Sequence, residues 1–356
     1  MNVAGARIIP FWKAVNEALA VAMEMDGNVV TFGLGTDDPK RVFGTTAGLA
    51  EKFGPRRVFD MPTSENAMTG IAIGASLNGI RPVMCHQRLD FFLLAVDQLV
   101  NNAAKWSYMF GGKKSVPITI RLIIGRGWGQ GPQHSQSLQA WFAHIPGLKA
   151  VMPTTAYDAK GLLLSAIFDE NPVIFLEHRW LHNIEGDVPA GDYRVPLDKA
   201  HLIASGADLT IVSLSYMTVE ALHAMDSLRE AGIGCDLIDL RSINPIDWDT
   251  IFRSVKKTGR ILVLDTANET LSVAGEIVAR VGMELFGALK CPPGRIALPD
   301  YPTPTSPALA EKYYPRAEHI AAKIGTMLGR PVDTEPIVKS RRNPHDVPGD
   351  WFKGPF

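Results

Sequence analysis

The feature that most constrains the fold of this chain is a repeated alternation of short apolar runs with segments of helical periodicity. In the first half, strand-like runs at 28–34, 82–85, 116–124, 150–152 and 172–177 alternate with helical runs at 11–25, 67–77, 92–104 and 156–168. Parallel strands whose crossover helices cover both faces of a sheet have continuous apolar sequences of this kind. The pattern predicts an α/β fold with a doubly wound parallel sheet.

The same alternation starts again in the second half, with strand-like runs at 209–214, 235–239, 260–264 and 295–298 and helical runs at 218–231, 248–258, 273–286 and 316–328. A chain of 356 residues is long enough for two separate hydrophobic cores. We therefore expect two doubly wound parallel-sheet domains, at 1–195 and 207–330, joined by a linker at 196–206. The polar, proline-rich residues 331–356 are expected to form a C-terminal tail, either packed as an extended arm or partly disordered.

Charge and cysteine content narrow the classes of partner. The chain has 36 basic and 37 acidic residues, so no overall field draws it to nucleic acid or to an anionic membrane surface. No apolar stretch is long enough to span a bilayer. The cysteines Cys85, Cys235 and Cys291 lie far apart without a CxxC pair, which fits a reducing cytoplasm. We expect a cytoplasmic protein whose partners are small molecules and other proteins.

The sequence lacks the short motifs of common hydrolases, metal enzymes and nucleotide-binding proteins. It contains no HExxH and no GxSxG, and the glycine-rich GRGWGQG at 125–131 lacks the Lys-Ser/Thr ending of a phosphate-binding loop. Two polar residues remain as candidates. Glu65 follows the strand-like VFDMP and is either a functional carboxylate at a strand end or a first-turn capping residue. His134 follows the glycine-rich loop and lies either on the surface or in a polar pocket.

Three long stretches of the chain resemble one protein family. They are DMPTSENAMTGIAIGASLNGIRPV, AVDQLVNNAAKWSYMFGGKKSVPITIR and QHSQSLQAWFAHIPGLKAVMPTTAYDAKGLLLSAIFDENPVIFLEH. Each is similar to the beta subunits of pyruvate and branched-chain 2-oxoacid dehydrogenases, in the transketolase-like thiamine diphosphate superfamily. The resemblance continues through CDLIDLRSINPID and covers about residues 5–325. It implies a transketolase-like pyrimidine-binding domain followed by a transketolase C-terminal-like domain.

The resemblance also implies a cofactor and partners. The family's first domain binds the aminopyrimidine ring of thiamine diphosphate, while an alpha subunit holds the diphosphate and its Mg²⁺ through a GDG…N motif. This chain contains no GDG. The implied assembly is a beta–beta homodimer within an α₂β₂ heterotetramer, which decarboxylates a 2-oxo acid and passes the acyl group to lipoamide on a lipoyl acyltransferase.

Individual positions of the chain match functional residues of the family. Glu65 matches the catalytic glutamate that exchanges a proton with the pyrimidine ring, Phe91 an aromatic against that ring, and His134 a histidine near the reacting carbon. Phe91 has an alternative interpretation as a core residue. A structural potassium site is implied at four further positions, of which the first also matches the cofactor site: Ile118, Ala166, Asp169 and Asn171.

The chain departs from the family at positively charged positions. His86 and Arg88 stand where the dehydrogenase subunits usually carry uncharged residues, and the loop before His134 contains Arg126 and Trp128. An arginine fork binds carboxylate or phosphate, so an acidic, phosphorylated or sugar-like substrate is one interpretation of His86, Arg88 and Arg126. Pairing with the missing subunit is the other. Two further functions stay open: a split transketolase-like subunit that transfers a two-carbon or acyl unit to an aldehyde or sugar, and a noncatalytic structural subunit.

Overall fold

A computed structural model describes residues 7–37, 42–126 and 129–353, and the chain divides into two compact units. The first unit includes the residues up to Gly125 and Gln133–Leu197. The second includes Arg126–Pro132 and the residues from Asp198 onward. The segment Arg126–Pro132, which separates the two parts of the first unit in the sequence, therefore belongs to the second unit.

The first unit is a parallel sheet covered by helices. Its strands are β1 Arg7–Pro10, β2 Val29–Gly33, β3 Val58–Asp60, β4 Arg81–His86, β5 Thr119–Ile124, β6 Lys149–Val151, β7 Val173–His178 and β8 Glu185–Val188. Its helices are α1 Phe11–Met25, α2 Leu49–Phe53, α3 Glu65–Ser76, α4 Leu89–Phe92, α5 Ala104–Met109, α6 Gln139–His144 and α7 Ala156–Ile167. Six strands lie in the order β6-β7-β5-β4-β2-β3, and every neighbouring pair is parallel. This confirms the predicted fold class.

The segment predicted as one helix at 92–104 is irregular instead. After α4 the chain makes a 3₁₀ turn at Leu93–Ala95 and a π-helical stretch at Gln98–Ala103 before α5. Asn101 donates to the Asp97 carboxylate over 2.6 Å, and Asn102 donates to the Gln98 amide oxygen over 3.0 Å. Asparagine is a weak helix former, and π-helical turns occur often at functional sites.

The second unit is built on a smaller sheet. Its strands are β9 His201–Ala204, β10 Leu209–Ser213, β11 Cys235–Asp239, β12 Ser242–Asn244, β13 Ile261–Asn268 and β14 Gly294–Leu298. Its helices are α8 Tyr216–Glu230, α9 Trp248–Thr258, α10 Val273–Glu284, α11 Pro307–Ala310, α12 Ala317–Leu328 and α13 Glu335–Ser340. Five strands lie in the order β14-β13-β10-β11-β9, parallel except for the antiparallel edge strand β9. No helix within the described ranges is long and apolar enough to cross a membrane.

Three elements form where the sequence did not predict structure. Strand β9 lies inside the segment 196–206 that was predicted as a linker, and it pairs with the edge of β11. Strand β8 pairs antiparallel with β1. Helix α13 lies in the predicted tail and begins with Pro336 in its first turn, where the missing N–H of proline costs nothing. All three are short, so tertiary pairing and capping decide their conformation more than their own periodicity.

A buried polar cluster fastens α8 to α12 in the second unit. The Glu220 carboxylate accepts a hydrogen bond from the Tyr216 hydroxyl at 2.6 Å and one from the backbone N–H of Ala317 at 2.9 Å. Arg316 Nε lies 2.7 Å from the same carboxylate, and both side chains are almost fully buried. Because the pair is desolvated, removal of one partner leaves an uncompensated charge in the interior.

We expect Glu220→Ala to lower the free energy of unfolding by about 3 kcal/mol, since it leaves the Arg316 charge buried and unpaired. Urea denaturation followed by far-UV circular dichroism measures this. Asp226→Ala is the matched control, because the Asp226–Arg229 pair lies on the same helix but is exposed to solvent. Equal destabilisation by the two substitutions would contradict a special role for the buried cluster.

Candidate active site

The loops that follow the parallel strands of the first unit bring the candidate residues to one edge of the sheet. Glu65 follows β3, Phe91 follows β4 and His134 follows β5. Because the strands are parallel, their carboxyl ends lie together, and open α/β sheets bind their ligands at that edge. The topology therefore collects side chains that are far apart in the sequence.

Glu65 is a mostly buried residue whose carboxylate has no protein partner within the described residues. It is the first residue of α3 and is only 5% exposed. Its backbone carbonyl accepts a hydrogen bond from the Thr69 hydroxyl at 2.9 Å, but its carboxylate has no hydrogen bond or ion pair within the described residues. The Ser64 side chain makes no capping bond to the helix. A helix N-terminus favours negative charge, yet the carboxylate oxygens stay available for an external partner.

Phe91 and His134 are in contact. Their rings meet edge to face, with the centroids 5.4 Å apart at an interplanar angle of 88°. The Gln136 amide donates to the Asp90 carboxylate over 2.8 Å and ties the two loops together. His134 is exposed and Phe91 is half-buried, so both present surface at the edge of the sheet.

His86 is the last residue of β4 and is buried with unpaired ring nitrogens. It is 1% exposed, and neither Nδ1 nor Nε2 has a hydrogen-bond partner within the described part of the chain. Its ring packs edge to face on Phe92, with the centroids 5.0 Å apart. Burial lowers the pKa of His86 to about 3, so the imidazole is neutral. It can donate one hydrogen bond and accept one.

Arg88 lies beside a second arginine that the sequence did not point to. The guanidinium carbons of Arg88 and Arg179 lie 5.6 Å and 4.4 Å from the centre of the Phe43 ring. Burial lowers the pKa of each guanidinium to about 10, and the charge of Arg88 adds to this effect on Arg179. Both are still cations at neutral pH, so the pair concentrates positive charge at this edge.

The loop that carries Phe43 is strained. Val42 has φ 45° and Phe43 has φ 61°, and both residues are disfavoured in the left-handed region, the β-branched valine most of all. Such conformations cost about 1–3 kcal/mol each and occur mostly where a functional site requires them. This backbone conformation places the Phe43 ring against the guanidinium groups of Arg88 and Arg179.

A buried ion pair links β5 to β7 near the same edge. Arg121 donates to both oxygens of Glu177, over 2.7 Å and 3.0 Å, and also to the Thr45 hydroxyl over 2.9 Å and to the Cys85 sulfur over 3.2 Å. Burial alone would lower the pKa of Arg121, but the Glu177 carboxylate raises it. His182 Nε2 lies 3.4 Å from Glu177, so this carboxylate has two basic neighbours.

Arg126 already has a counter-charge. It belongs to the second unit, is fully buried, and donates to the Asp346 carboxylate over 3.0 Å. Its guanidinium also lies 5.8 Å from the centre of the Tyr314 ring. Trp128, predicted with it, lies outside the described residues.

The loop predicted to bind potassium is held by hydrogen bonds and ion pairs. The Asp169 carboxylate accepts from the Asn171 N–H over 2.8 Å and pairs with Lys149. The Ile118 carbonyl accepts from Val173, and the Ala166 carbonyl accepts from Asp169. Lys149 brings positive charge to the loop. The potassium site at these four residues stays a prediction from the family resemblance.

Comparisons with known proteins cover nearly the whole chain. The family "Transketolase, pyrimidine binding domain" matches residues 8–183, and "Transketolase, C-terminal domain" matches residues 198–320. The acetoin:2,6-dichlorophenolindophenol oxidoreductase subunit beta of Cupriavidus necator is 42% identical over 89% of this chain and 96% of its own length. The pyruvate dehydrogenase E1 component subunit beta of Bacillus subtilis is 40% identical over 83% of this chain and 91% of its own length.

A solved structure agrees on the fold. The inactive beta4 tetramer of a split-gene transketolase covers 90% of this chain and 99% of its own, with a TM-score of 0.73 and 22% sequence identity.

Three histidines near the carboxyl ends of β4 and β7 make folding sensitive to acid. Burial lowers the pKa of His86 and His178 to about 3 and that of His182 to about 4. An unfolded histidine titrates near pH 6.5, so below that pH the unfolded chain binds protons that the folded chain does not. The stability that these groups give is complete above about pH 7.5 and is lost as the pH falls toward 4.

We expect the free energy of unfolding to fall as the pH is lowered from 7 to 4, by up to about 1.4 kcal/mol per pH unit for each buried histidine. The midpoint of urea denaturation, measured at several pH values, should fall in parallel. His86→Phe should lower by one the number of protons that are taken up on unfolding, and so make the dependence of the unfolding free energy on pH shallower. Phenylalanine does not titrate, and His86 has no hydrogen-bond partner to lose. His144→Asn, at an exposed position, is the control. An unchanged slope in His86→Phe would show that His86 is not buried in its neutral form.

Proposed function

The chain belongs to the transketolase-like family of dehydrogenase beta subunits, and we propose that it is the subunit that activates the pyrimidine ring of thiamine diphosphate in a 2-oxo acid decarboxylating enzyme. The observation that carries this proposal is the buried carboxylate of Glu65, which has no partner within the described residues. A carboxylate that stays open at the edge of the sheet, on a residue that is otherwise buried, is available to an external ligand.

Thiamine diphosphate fits the residues at this edge. When bound, the cofactor supplies the carbon nucleophile and the electron sink for decarboxylation. Glu65 would hold and exchange a proton at the ring nitrogen of the pyrimidine, with its carboxylate oxygens as the donor and acceptor atoms. Phe91 would orient the ring by contact with its flat face. The Ile118 backbone is assigned to the same site from its match to the family.

His134 would act on the substrate side of the cofactor. Its exposed imidazole contacts Phe91 and can hold or move a proton near the reacting carbon. The neutral His86 would offer one hydrogen bond to a polar group in the site. Arg88, with Arg179 beside it, would favour an acidic or phosphorylated substrate or acceptor, since guanidinium groups bind such anions.

An alpha subunit is expected to complete the enzyme. Within the described residues no group of three or more acidic, histidine or cysteine side chains could hold a metal ion, and we assign the Mg²⁺ and the diphosphate to that partner. Large apolar side chains are exposed at the end of α5, where Tyr108 is 90% exposed and Met109 56%. Contiguous exposed apolar surface is typical of protein interfaces. An α₂β₂ assembly with a beta–beta homodimer follows as the proposed state, in the cytoplasm.

Acyl transfer to lipoamide on a lipoyl acyltransferase is the reaction that we favour. The similar curated proteins are dehydrogenases and oxidoreductases by name, whereas the split transketolase is similar at the level of fold alone. A noncatalytic structural role would leave the buried Glu65 carboxylate without a reason. A structural potassium ion at Ile118, Ala166, Asp169 and Asn171 is part of the same proposal and takes no part in the reaction.

We expect Glu65→Gln to lower turnover of the complete enzyme by about 10²–10⁴-fold, because the amide cannot exchange the proton. Turnover is measured after reconstitution with an alpha subunit of this family, and gel filtration checks assembly. Glu276→Gln is the matched control, since Glu276 is also a first-turn glutamate of a helix but is exposed. Full turnover by an assembled Glu65→Gln enzyme would rule out the catalytic role.

Calorimetric titration with thiamine diphosphate and Mg²⁺ tests where the cofactor is held. We expect tight binding by this chain together with its alpha partner and little binding by this chain alone, because each supplies part of the site. Tight binding to the isolated chain would contradict a shared site. Absence of binding in both cases would favour the structural-subunit alternative.

A further inference from the structure

Arg88 and Arg179 form an arginine pair that shares one aromatic ring in the first unit. Their guanidinium carbons lie 5.6 Å and 4.4 Å from the centre of the Phe43 ring. A guanidinium is attracted to the face of an aromatic ring, so this ring is a platform that holds both cations. Only 3% of Arg88 and 7% of Arg179 is exposed. The pair is therefore a fixed and largely desolvated positive charge.

The two charges of the arginine pair repel each other. Burial and the charge of Arg88 together lower the pKa of Arg179 to about 10. Burial also lowers the pKa of Arg88 to about 10, and the Asp90 carboxylate opposes this shift while it accepts from the Gln136 amide over 2.8 Å. Like charges that meet in a desolvated place raise the free energy of the fold, and an anion between them would remove that cost.

The field beside the arginine pair is positive even next to a carboxylate. Glu177 accepts from Arg121 over 2.7 Å and 3.0 Å, and Nε2 of His182 lies 3.4 Å from the same carboxylate. A carboxylate so close normally favours a protonated histidine. Burial instead lowers the pKa of His182 to about 4, and the charges of Arg179 and Arg121 lower it as well. This edge of the sheet therefore disfavours a further cation and favours an anion.

The arginine pair lies where sheets of this kind bind their ligands. The chain passes from β2 to β3 on one side of the sheet and from β4 to β5 on the other, so the direction of its connections changes between β2 and β4. Open parallel sheets bind ligands at such a point, beyond the carboxyl ends of the strands. Phe43 lies in the segment after β2, and Arg88 lies just beyond the end of β4. The platform and the pair therefore flank the point at which a ligand is expected.

The backbone that carries the platform is held in a disfavoured conformation. Val42 and Phe43 both have positive φ, at 45° and 61°. Such strain persists only where the surrounding structure imposes it, and it clusters at ligand sites. A buried apolar cluster of Val42, Cys85 and Ile123 holds this loop on the sheet, and Phe43 packs against the cluster. The platform is thus built into the fold and is not a chance surface contact.

The donors and the burial of the arginine pair select the kind of ligand. A guanidinium donates in a rigid fork that matches the oxygens of a carboxylate or a phosphate group. Because both side chains are nearly enclosed, a small molecule can reach them, whereas a group attached to a carrier protein cannot easily do so. Lipoamide, the acceptor in the proposed function, also carries no charge. The expected ligand is therefore an oxyanion on the small-molecule substrate.

We propose that Arg88 and Arg179, held on the Phe43 ring, are specificity-determining residues that bind a second anionic group of the substrate. The substrate class is then a 2-oxo acid that bears a carboxylate or a phosphate at the end remote from its keto group. This substrate class rests on the proposed function, whereas binding of an oxyanion by the arginine pair does not.

A set of matched 2-oxo acids tests the substrate class in the reconstituted enzyme. Each acid with a terminal carboxylate or phosphate is compared with the neutral acid of the same chain length, as 2-oxoglutarate is with 2-oxopentanoate. We expect kcat/KM to be about 10–100-fold higher for the anionic member of at least one pair, which is the range for hydrogen bonds to a charged group. Equal or better use of the neutral member in every pair would overturn the proposal.

Arg179→Gln should lower the preference for the anionic member of that pair by about 10–100-fold, because the amide supplies neither the charge nor the fork. Arg179→Lys, which keeps the charge, should restore part of the preference. Arg194→Gln is the matched control, since Arg194 also lies over a ring of the first unit, that of Phe168 at 4.2 Å, but is exposed. An equal loss of kcat/KM for both members of the pair in Arg179→Gln would show a structural role instead.

Inorganic phosphate tests the arginine pair on this chain alone, without any turnover. A ligand that binds only the folded state raises the melting temperature. At constant ionic strength, we expect phosphate to raise the melting temperature above that in chloride for the wild type and for Arg194→Gln, and to lose most of this effect in Arg88→Gln and Arg179→Gln. No rise in the wild type, or an equal rise in every variant, would overturn anion binding by the pair.

Hydrogen exchange of the unmodified chain covers the case in which a variant does not fold. Phosphate should slow exchange most in the peptides that contain Phe43, Arg88 or Arg179, because a bound anion opposes local opening there. Uniform slowing over the whole chain, or slowing confined to other peptides, would contradict the proposal.

Failure of this inference and failure of the proposed function give different results. Full turnover by the Glu65→Gln enzyme, or no turnover with any 2-oxo acid, would overturn the proposed function and the substrate class with it. The phosphate measurements would still decide whether the arginine pair binds an oxyanion. Turnover without preference for an anionic acid would overturn the inference and leave the proposed function intact.

Discussion

The parallel direction of the strands in the first unit is the constraint on which the rest of the site depends. Because β2, β3, β4, β5 and β7 run the same way, each loop that follows a strand opens at the same edge. Both faces of the sheet are buried, so unpaired polar groups can be placed only where strands end. The Arg121–Glu177 pair joins the central strands β5 and β7 near this edge and limits how far the edge of the sheet can distort.

The sequence predicted the elements that carry strong periodicity and could not predict those made by pairing. Helices α1 and α9 and strand β11 occur at the predicted bounds, because each has its own apolar pattern and turn residues at its ends. Strands β8 and β9 have little such pattern and form because a neighbouring strand offers its edge. The helix predicted at 92–104 has the apolar spacing of a helix, but its asparagines and glutamine form side-chain bonds that accompany wider turns.

For the candidate site, the sequence points to single residues and not to their surroundings. Glu65, Phe91 and His134 could be named from short motifs because each motif is local in sequence. Phe43 and Arg179 could not, since each depends on a loop whose partner strand lies far away along the chain. The signals that existed were weak: a phenylalanine beside glycine, and an arginine directly after the strand PVIFLEH.

Arg126 shows why charge alone is a poor guide to function. In the sequence it is an arginine in a glycine-rich loop before His134, which suggests anion binding. In the fold its counter-ion comes from the opposite end of the chain, and a buried guanidinium that gave up Asp346 for a substrate would leave that carboxylate buried and unpaired. Exchange of partners is therefore unfavourable at Arg126. An arginine in a glycine-rich loop is therefore judged better by its counter-ion in the fold than by its charge in the sequence.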